Sequence, residues 1–103
     1  MSPLVEEKID ELKQLCEKYS VMCLEIFGSA ASDADFDEDG SDLDFLVEFQ
    51  TLEENQYADT YLGLMFALQE LFNRPVDLVM TEAIRNPYFK TSIDRSRKVL
   101  YAA

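Results

Sequence analysis

FGSAASDADFDEDGSDLDFLVEF, residues 27–49, is the stretch on which the reading of the whole chain turns. Its last nine residues, Ser41 to Phe49, alternate in character. Leu43, Phe45, Val47 and Phe49 share one face of an extended chain, and Asp42, Asp44, Leu46 and Glu48 share the other. The apolar set is the core face of a strand, so Asp42 and Asp44 point the same way, about 6–7 Å apart at Cα. Aspartate is depleted in strands, and two carboxylates held that close repel unless a positive charge lies between them. A divalent cation carrying phosphate meets that need. Upstream, Gly28 lets the backbone turn sharply and pass close to a ligand. The small residues 29–32 behind it are suited to opening a helix whose N–H groups face phosphate. A Gly28-Ser29 pair alone is an ordinary turn; the carboxylates that follow give it meaning.

Working outward, Val21 to Phe27 is an almost wholly apolar run, the pattern of a strand covered on both faces. Glu25 is its one charged residue and reads as an edge or strand-end acid. Residues from about Leu52 to Phe72 have helical periodicity, with Glu53 and Glu54 suited to the N-terminal dipole. Tyr57, Tyr61, Leu64, Leu68 and Leu71, with Leu62, Met65 and Phe66 beside them, make a stripe broader than one sheet requires. Such a helix is buried on two sides or offers part of itself to another chain. Arg74-Pro75 ends it. Val76 to Met80 is then a third strand carrying Asp77, and a lone carboxylate buried there would cost several kcal/mol unless a cation or hydrogen bonds met it. If this strand lies beside the second, Asp77 joins Asp42 and Asp44.

At the start, Ser2-Pro3 opens a helix reaching Lys18 or Tyr19, with Leu4, Ile9, Leu12, Leu15 and Cys16 on its inner face. At the end, Asn86-Pro87 opens a helix to about Arg97, and Val99 to Tyr101 is a terminal edge strand. Arg85, Lys90, Arg95, Arg97 and Lys98 gather the basic residues here, as a solvated face or as a contact for phosphate. The expected architecture is α/β (α+β): a small mixed sheet of three to four strands flanked by helices in the order αβαβαβα.

With 103 residues there is room for one domain, 1–103. The net charge of -12 argues against nucleic-acid backbone as the main ligand. The chain has no histidine, which removes Ser-His-Asp and Cys-His catalysis and most zinc sites. Cys16 and Cys23 read as small buried residues of a reducing cytoplasm, and no apolar run is long enough to span a bilayer. Asp35, Asp37, Asp39 and Gly40 match the first half of a calcium loop. Asp42 and Leu46 then stand where an apolar residue and a bidentate glutamate belong, so the match fails. Three carboxylates gathered beside a backbone phosphate cradle suit two-metal phosphoryl chemistry, which needs positioning and charge neutralisation more than covalent help from the protein.

Gly28-Ser29, Ser41-Asp42-Leu43-Asp44 and Pro75-Val76-Asp77-Leu78-Val79 together resemble the DNA polymerase β-type nucleotidyltransferase superfamily in its minimal (MNT) form. The likeness extends through Arg85-Asn86-Pro87-Tyr88 to Val99-Leu100-Tyr101. It implies the nucleotidyltransferase fold, with Asp42, Asp44 and Asp77 as catalytic metal ligands and two Mg²⁺ ions. By the same likeness Gly28, Ser29 and Ser41 hold the triphosphate of ATP, and Asp77 helps to activate an acceptor hydroxyl. The implied role is an antitoxin that transfers AMP to a tyrosine of a helical HEPN-type partner; the alternatives are a catalytically inactive module acting by occlusion and a small-molecule transferase. A homo-oligomer is left open. In two places the chain departs from the pattern. Ala31-Ser32-Asp33 stands where many relatives have Ala-Arg-Gly, and the loop before Asp42 is about two residues longer than usual.

Overall fold

The alternation of residues 43–49 and the apolar runs on either side of them build one four-stranded sheet. The computed structural model describes residues 3–28, 42–81, 87, 88, 91, 94 and 97–103. The strands are β1 (Val21–Phe27), β2 (Leu43–Phe49), β3 (Val76–Met80) and β4 (Lys98–Ala102), in the spatial order β3-β2-β1-β4. β1 pairs antiparallel with both β2 and β4, and β2 pairs parallel with β3. The sheet is therefore mixed, with β4 at one edge, as the chain's closing apolar residues implied.

Among the described residues, helices lie against the core face of this sheet. The N-terminal helical segment is broken, into α1 (Pro3–Glu7) and α2 (Ile9–Lys18), with Lys8 at φ -105°, ψ 11° between them. No glycine or proline marks that break. α2 packs on β1 and β4, and α3 (Tyr57–Phe72) packs on β3 and α2. The expected start of α3 near Leu52 is too early. Glu53 and Gln56 form a reciprocal capping box around a 3-10 turn (Glu54–Gln56), which bonds the backbone locally before the helix begins. At its other end Asn73 takes a left-handed conformation, φ 52° and ψ 45°. Asparagine tolerates this better than most residues, so the helix stops one residue before Arg74-Pro75.

The core is the inner stripe of α3, Leu64, Leu68 and Phe72, meeting Leu43, Phe45, Val47 and Phe49 of β2 with Leu12 and Cys16 of α2. The rings of Phe45 and Phe72 stack at 5.9 Å between centroids. On the opposite face of the sheet a smaller apolar group forms from Phe27, Leu46 and Val79. Leu46, on the polar face of the sequence pattern, is 1% exposed. That second face is apolar in its middle and acidic at one end. Among the described residues no helix is long and apolar enough to cross a membrane.

Candidate active site

Where β1 ends, β2 and β3 begin, and three features of the sequence meet. Phe27 is opposite Asp44 in the β1–β2 ladder, and Asp44 is opposite Asp77 in the β2–β3 ladder. Residues paired in a ladder project to the same face, so the two carboxylates face the same space. The Leu43 N–H donates to the Pro75 carbonyl at 3.2 Å, fixing the entries of both strands. Asp42 lies just before β2 and is exposed. Asp77 is exposed too, which corrects the expectation of a carboxylate buried in an apolar run: it sits at an edge, in reach of water.

Gly28 follows directly, at φ +76°. A Cβ built on it would lie 2.7 Å from Oδ2 of Asp44, so the chain at this turn passes over the carboxylate with no room for a side chain. Glycine meets both demands, the positive φ and the close approach. Ser29 and Ser41 lie outside the described residues, as do the acidic loop Asp33 to Asp39 and the Ala31-Ser32-Asp33 departure.

The electrostatics follow from this crowding. Asp44 is half-buried, and its pKa is pushed up to about 6 by burial first and then by the negative charges of Asp77 and Asp42. A carboxyl that ionises later in the folded protein than in the unfolded chain withdraws stability as pH rises. The metal-free protein is expected to be most stable below about pH 4 with respect to this group. It should lose that contribution up to about pH 6 and stay level above. Urea titrations across this range should show the decline in the natural chain and its absence in Asp44→Asn.

Asp42, Asp44 and Asp77 offer carboxylate oxygens, the kind of ligand that hard divalent cations such as Mg²⁺ take. Among the described residues no group of three or more acidic or cysteine side chains is gathered closely enough to hold an ion alone. Mg²⁺ usually keeps several waters and binds through one or two carboxylates and substrate phosphates rather than a closed protein cage. The Asp44–Asp77 pair, with Asp42 near enough to raise the pKa of Asp44, fits that mode.

Glu25 departs from expectation. It lies in β1, an interior strand, and is 8% exposed, neither at an edge nor at a strand end. Arg97 accounts for it: Nε donates to Glu25 Oε2 at 2.9 Å, Nη2 donates to the same oxygen, and Nη1 donates to Asp94 Oδ1 at 2.8 Å. Hydrogen bonds to Asp94 and Glu25 raise the pKa of Arg97 further. An isolated glutamate in an apolar strand was itself the signal that a cation waits elsewhere in the chain. Arg97→Ala should cost about 2–3 kcal/mol in urea unfolding at neutral pH, below the ~3–5 kcal/mol of a fully buried pair because Arg97 is partly exposed. Arg97→Lys should recover only part, since an ammonium lacks the planar fork. Cys16 is buried, with its thiol raised to about 12 by that burial, and Cys23 is raised in the same direction. Neither is an activated nucleophile.

Similar proteins bear on the site as follows. Residues 10–103 match the family model described as Polymerase beta, Nucleotidyltransferase. Two proteins of Methanocaldococcus jannaschii, each provisionally named a protein adenylyltransferase, are 39% identical over 84 residues and 43% identical over 82. Both alignments span 80% of this chain and 79% of the relative. A solved structure described provisionally as a minimal nucleotidyltransferase superposes with a TM-score of 0.71 at 28% identity, covering 95% of each chain. Two more distant structures share the fold at 18% identity. One is a toxin–antitoxin complex with AMP-PNP, TM-score 0.66, covering 92% of this chain and 73% of that one. The other is a tri-AMPylated HEPN toxin with its MNT antitoxin from Shewanella oneidensis, TM-score 0.58, covering 95% and 72%.

Proposed function

The chain belongs to the polymerase β nucleotidyltransferase family, and from that premise we propose that it is a Mg²⁺-dependent protein adenylyltransferase. In this reading it moves AMP from ATP to a tyrosine hydroxyl of a helical HEPN-type toxin and so acts as its antitoxin. The observation that carries the reading is the Asp44–Asp77 pair facing one space beneath the Gly28 turn. Catalysis needs little else from the protein than to place two oxygens and a phosphorus and to tolerate the charge between them.

In the balanced reaction the acceptor oxygen bonds to the α-phosphorus, the bond from that phosphorus to the β-phosphate bridging oxygen breaks, and pyrophosphate leaves. Asp42 and Asp44 would hold Mg²⁺, and Asp77 would complete the site and take up the acceptor proton. A bound Mg²⁺ supplies neutralisation of the triphosphate charge and a template for in-line transfer. Gly28 leaves the backbone close enough to meet a phosphate, with Ser29 and Ser41 as further triphosphate contacts.

The acceptor side is supported by α3. Leu62 and Phe66, one turn apart, are 43% and 60% exposed on its outer face, the surplus apolar width that the sequence showed. That toxin–antitoxin complexes share this fold supports a HEPN-type helical protein as the occupant we assign to this face. The experiment is to combine the chain with a HEPN-type helical protein, Mg²⁺ and ATP labelled in the α-phosphate. Label on a partner tyrosine, dependent on Mg²⁺, is expected. A tight complex with no label would overturn the enzymatic reading in favour of neutralisation by occlusion. That second reading is favoured by the sequence alone, in which Ala31-Ser32-Asp33 replaces an arginine with acidic and small residues.

A further inference from the structure

One hydroxyl group outside the acidic site bears on where its third carboxylate stands. β3 is an edge strand of five residues, bonded on one side to β2 in parallel. Parallel pairing is slightly the weaker kind, and an edge strand carries a row of backbone groups with no strand beyond them. Asp77 faces Asp44 across this pairing, and like charges directly opposite one another on a sheet weaken the pairing that holds them.

From α3, the Tyr61 hydroxyl donates to the carbonyl oxygen of Leu78 at 2.5 Å. Leu78 follows Asp77 directly, and its own side chain is held in the core at 3% exposure. The Tyr61 ring packs partly buried against the same core, so the hydroxyl is held on a rigid helix and fixes the peptide next to the carboxylate. The charge of Asp77 reaches the phenol, whose pKa is raised by burial and then by that carboxylate.

We propose that the Tyr61 hydroxyl is a positioning group for the ion site, holding the backbone beside Asp77 so that its carboxylate stays opposite Asp44. The inference rests on the reading of Asp44 and Asp77 as ligands of a divalent cation. Tyr61 touches neither ion nor nucleotide in it; it acts through β3.

Tyr61→Phe keeps the ring and removes the hydroxyl. Tyr57→Phe is the control, because Tyr57 lies on the same helix but its hydroxyl accepts from the Leu52 N–H at 3.4 Å, away from β3. Mn²⁺ alone is titrated into each full chain, and backbone hydrogen exchange is followed without metal. Tyr61→Phe is expected to bind Mn²⁺ about 5- to 30-fold more weakly, the range one lost hydrogen bond supports. Amides of β3 should exchange faster while those of β1 and β4 keep their natural rates, and Tyr57→Phe should match the natural chain in Mn²⁺ affinity. In the transfer assay Tyr61→Phe should need more Mg²⁺ but reach the natural rate at saturation. Unchanged Mn²⁺ affinity in Tyr61→Phe would overturn the proposal and leave the ion site standing. Faster exchange throughout the sheet would overturn it by showing a general loss of stability. If the natural chain took up no Mn²⁺, the positioning role would fall together with the ion-site reading.

Discussion

Changing Asp42 and Asp44 together to asparagine should reduce AMP transfer by a factor on the order of 10³ or more while the protein remains folded. Neutralising the charge that builds on a transferring phosphoryl group is worth several kcal/mol, and each ~1.4 kcal/mol is a factor of ten in rate. Asparagine keeps the shape of aspartate and removes its charge, so the variant isolates electrostatics from packing. Its stability is the internal control. Asp44 sits among like charges with its pKa raised to about 6, so without metal the variant should withstand more urea at pH 7–8 than the natural chain. Transfer assays with α-labelled ATP and urea curves on the same preparations check both halves. Transfer within tenfold of the natural rate would remove these residues from the chemistry.

The second large effect is expected at Gly28. Gly28→Ala places a methyl group where a Cβ meets Asp44 Oδ2 at 2.7 Å, on a backbone at φ +76°. The left-handed conformation alone costs an alanine about 1–2 kcal/mol. The contact must also be relieved, and either the turn lifts away from the strand or the Asp44 carboxylate swings aside. Both movements disturb the atoms that would receive the triphosphate in the proposed reaction. Transfer should fall by about 10² or more, since a displacement near 1 Å at a reacting centre is enough for that. Stability should fall by only about 1–3 kcal/mol. Kinetics at saturating ATP together with thermal unfolding would separate the two losses.

The parts of the molecule legible in its sequence are those set by near neighbours. The alternation of 43–49, the apolar runs at 21–27 and 76–80 and the stripe of α3 each record which face meets the core. The aspartates followed from that alternation, because a charged residue on a strand face has few reasons to be there. Local pattern failed where the decisive contact is remote. Glu25 resembles a solvated acid until Arg97, 72 residues later, is brought against it. The bond from Tyr61 to Leu78 leaves no mark in either helix or strand periodicity. The break at Lys8 and the late start of α3 turn on capping and on backbone angles with no glycine or proline to announce them.

The pairing of Asp44 with Asp77 through parallel strands has one more consequence. Side chains along a strand change face at every residue, so a slip of β3 by a single position would turn Asp77 toward the helices and bring Val76 or Leu78 opposite Asp44. A cation that needs both acids would bind only molecules whose strands are correctly aligned, and by mass action it would favour them over slipped forms. The ion would then act as a proofreader of strand alignment, drawing misassembled chains back toward the arrangement in which they can work.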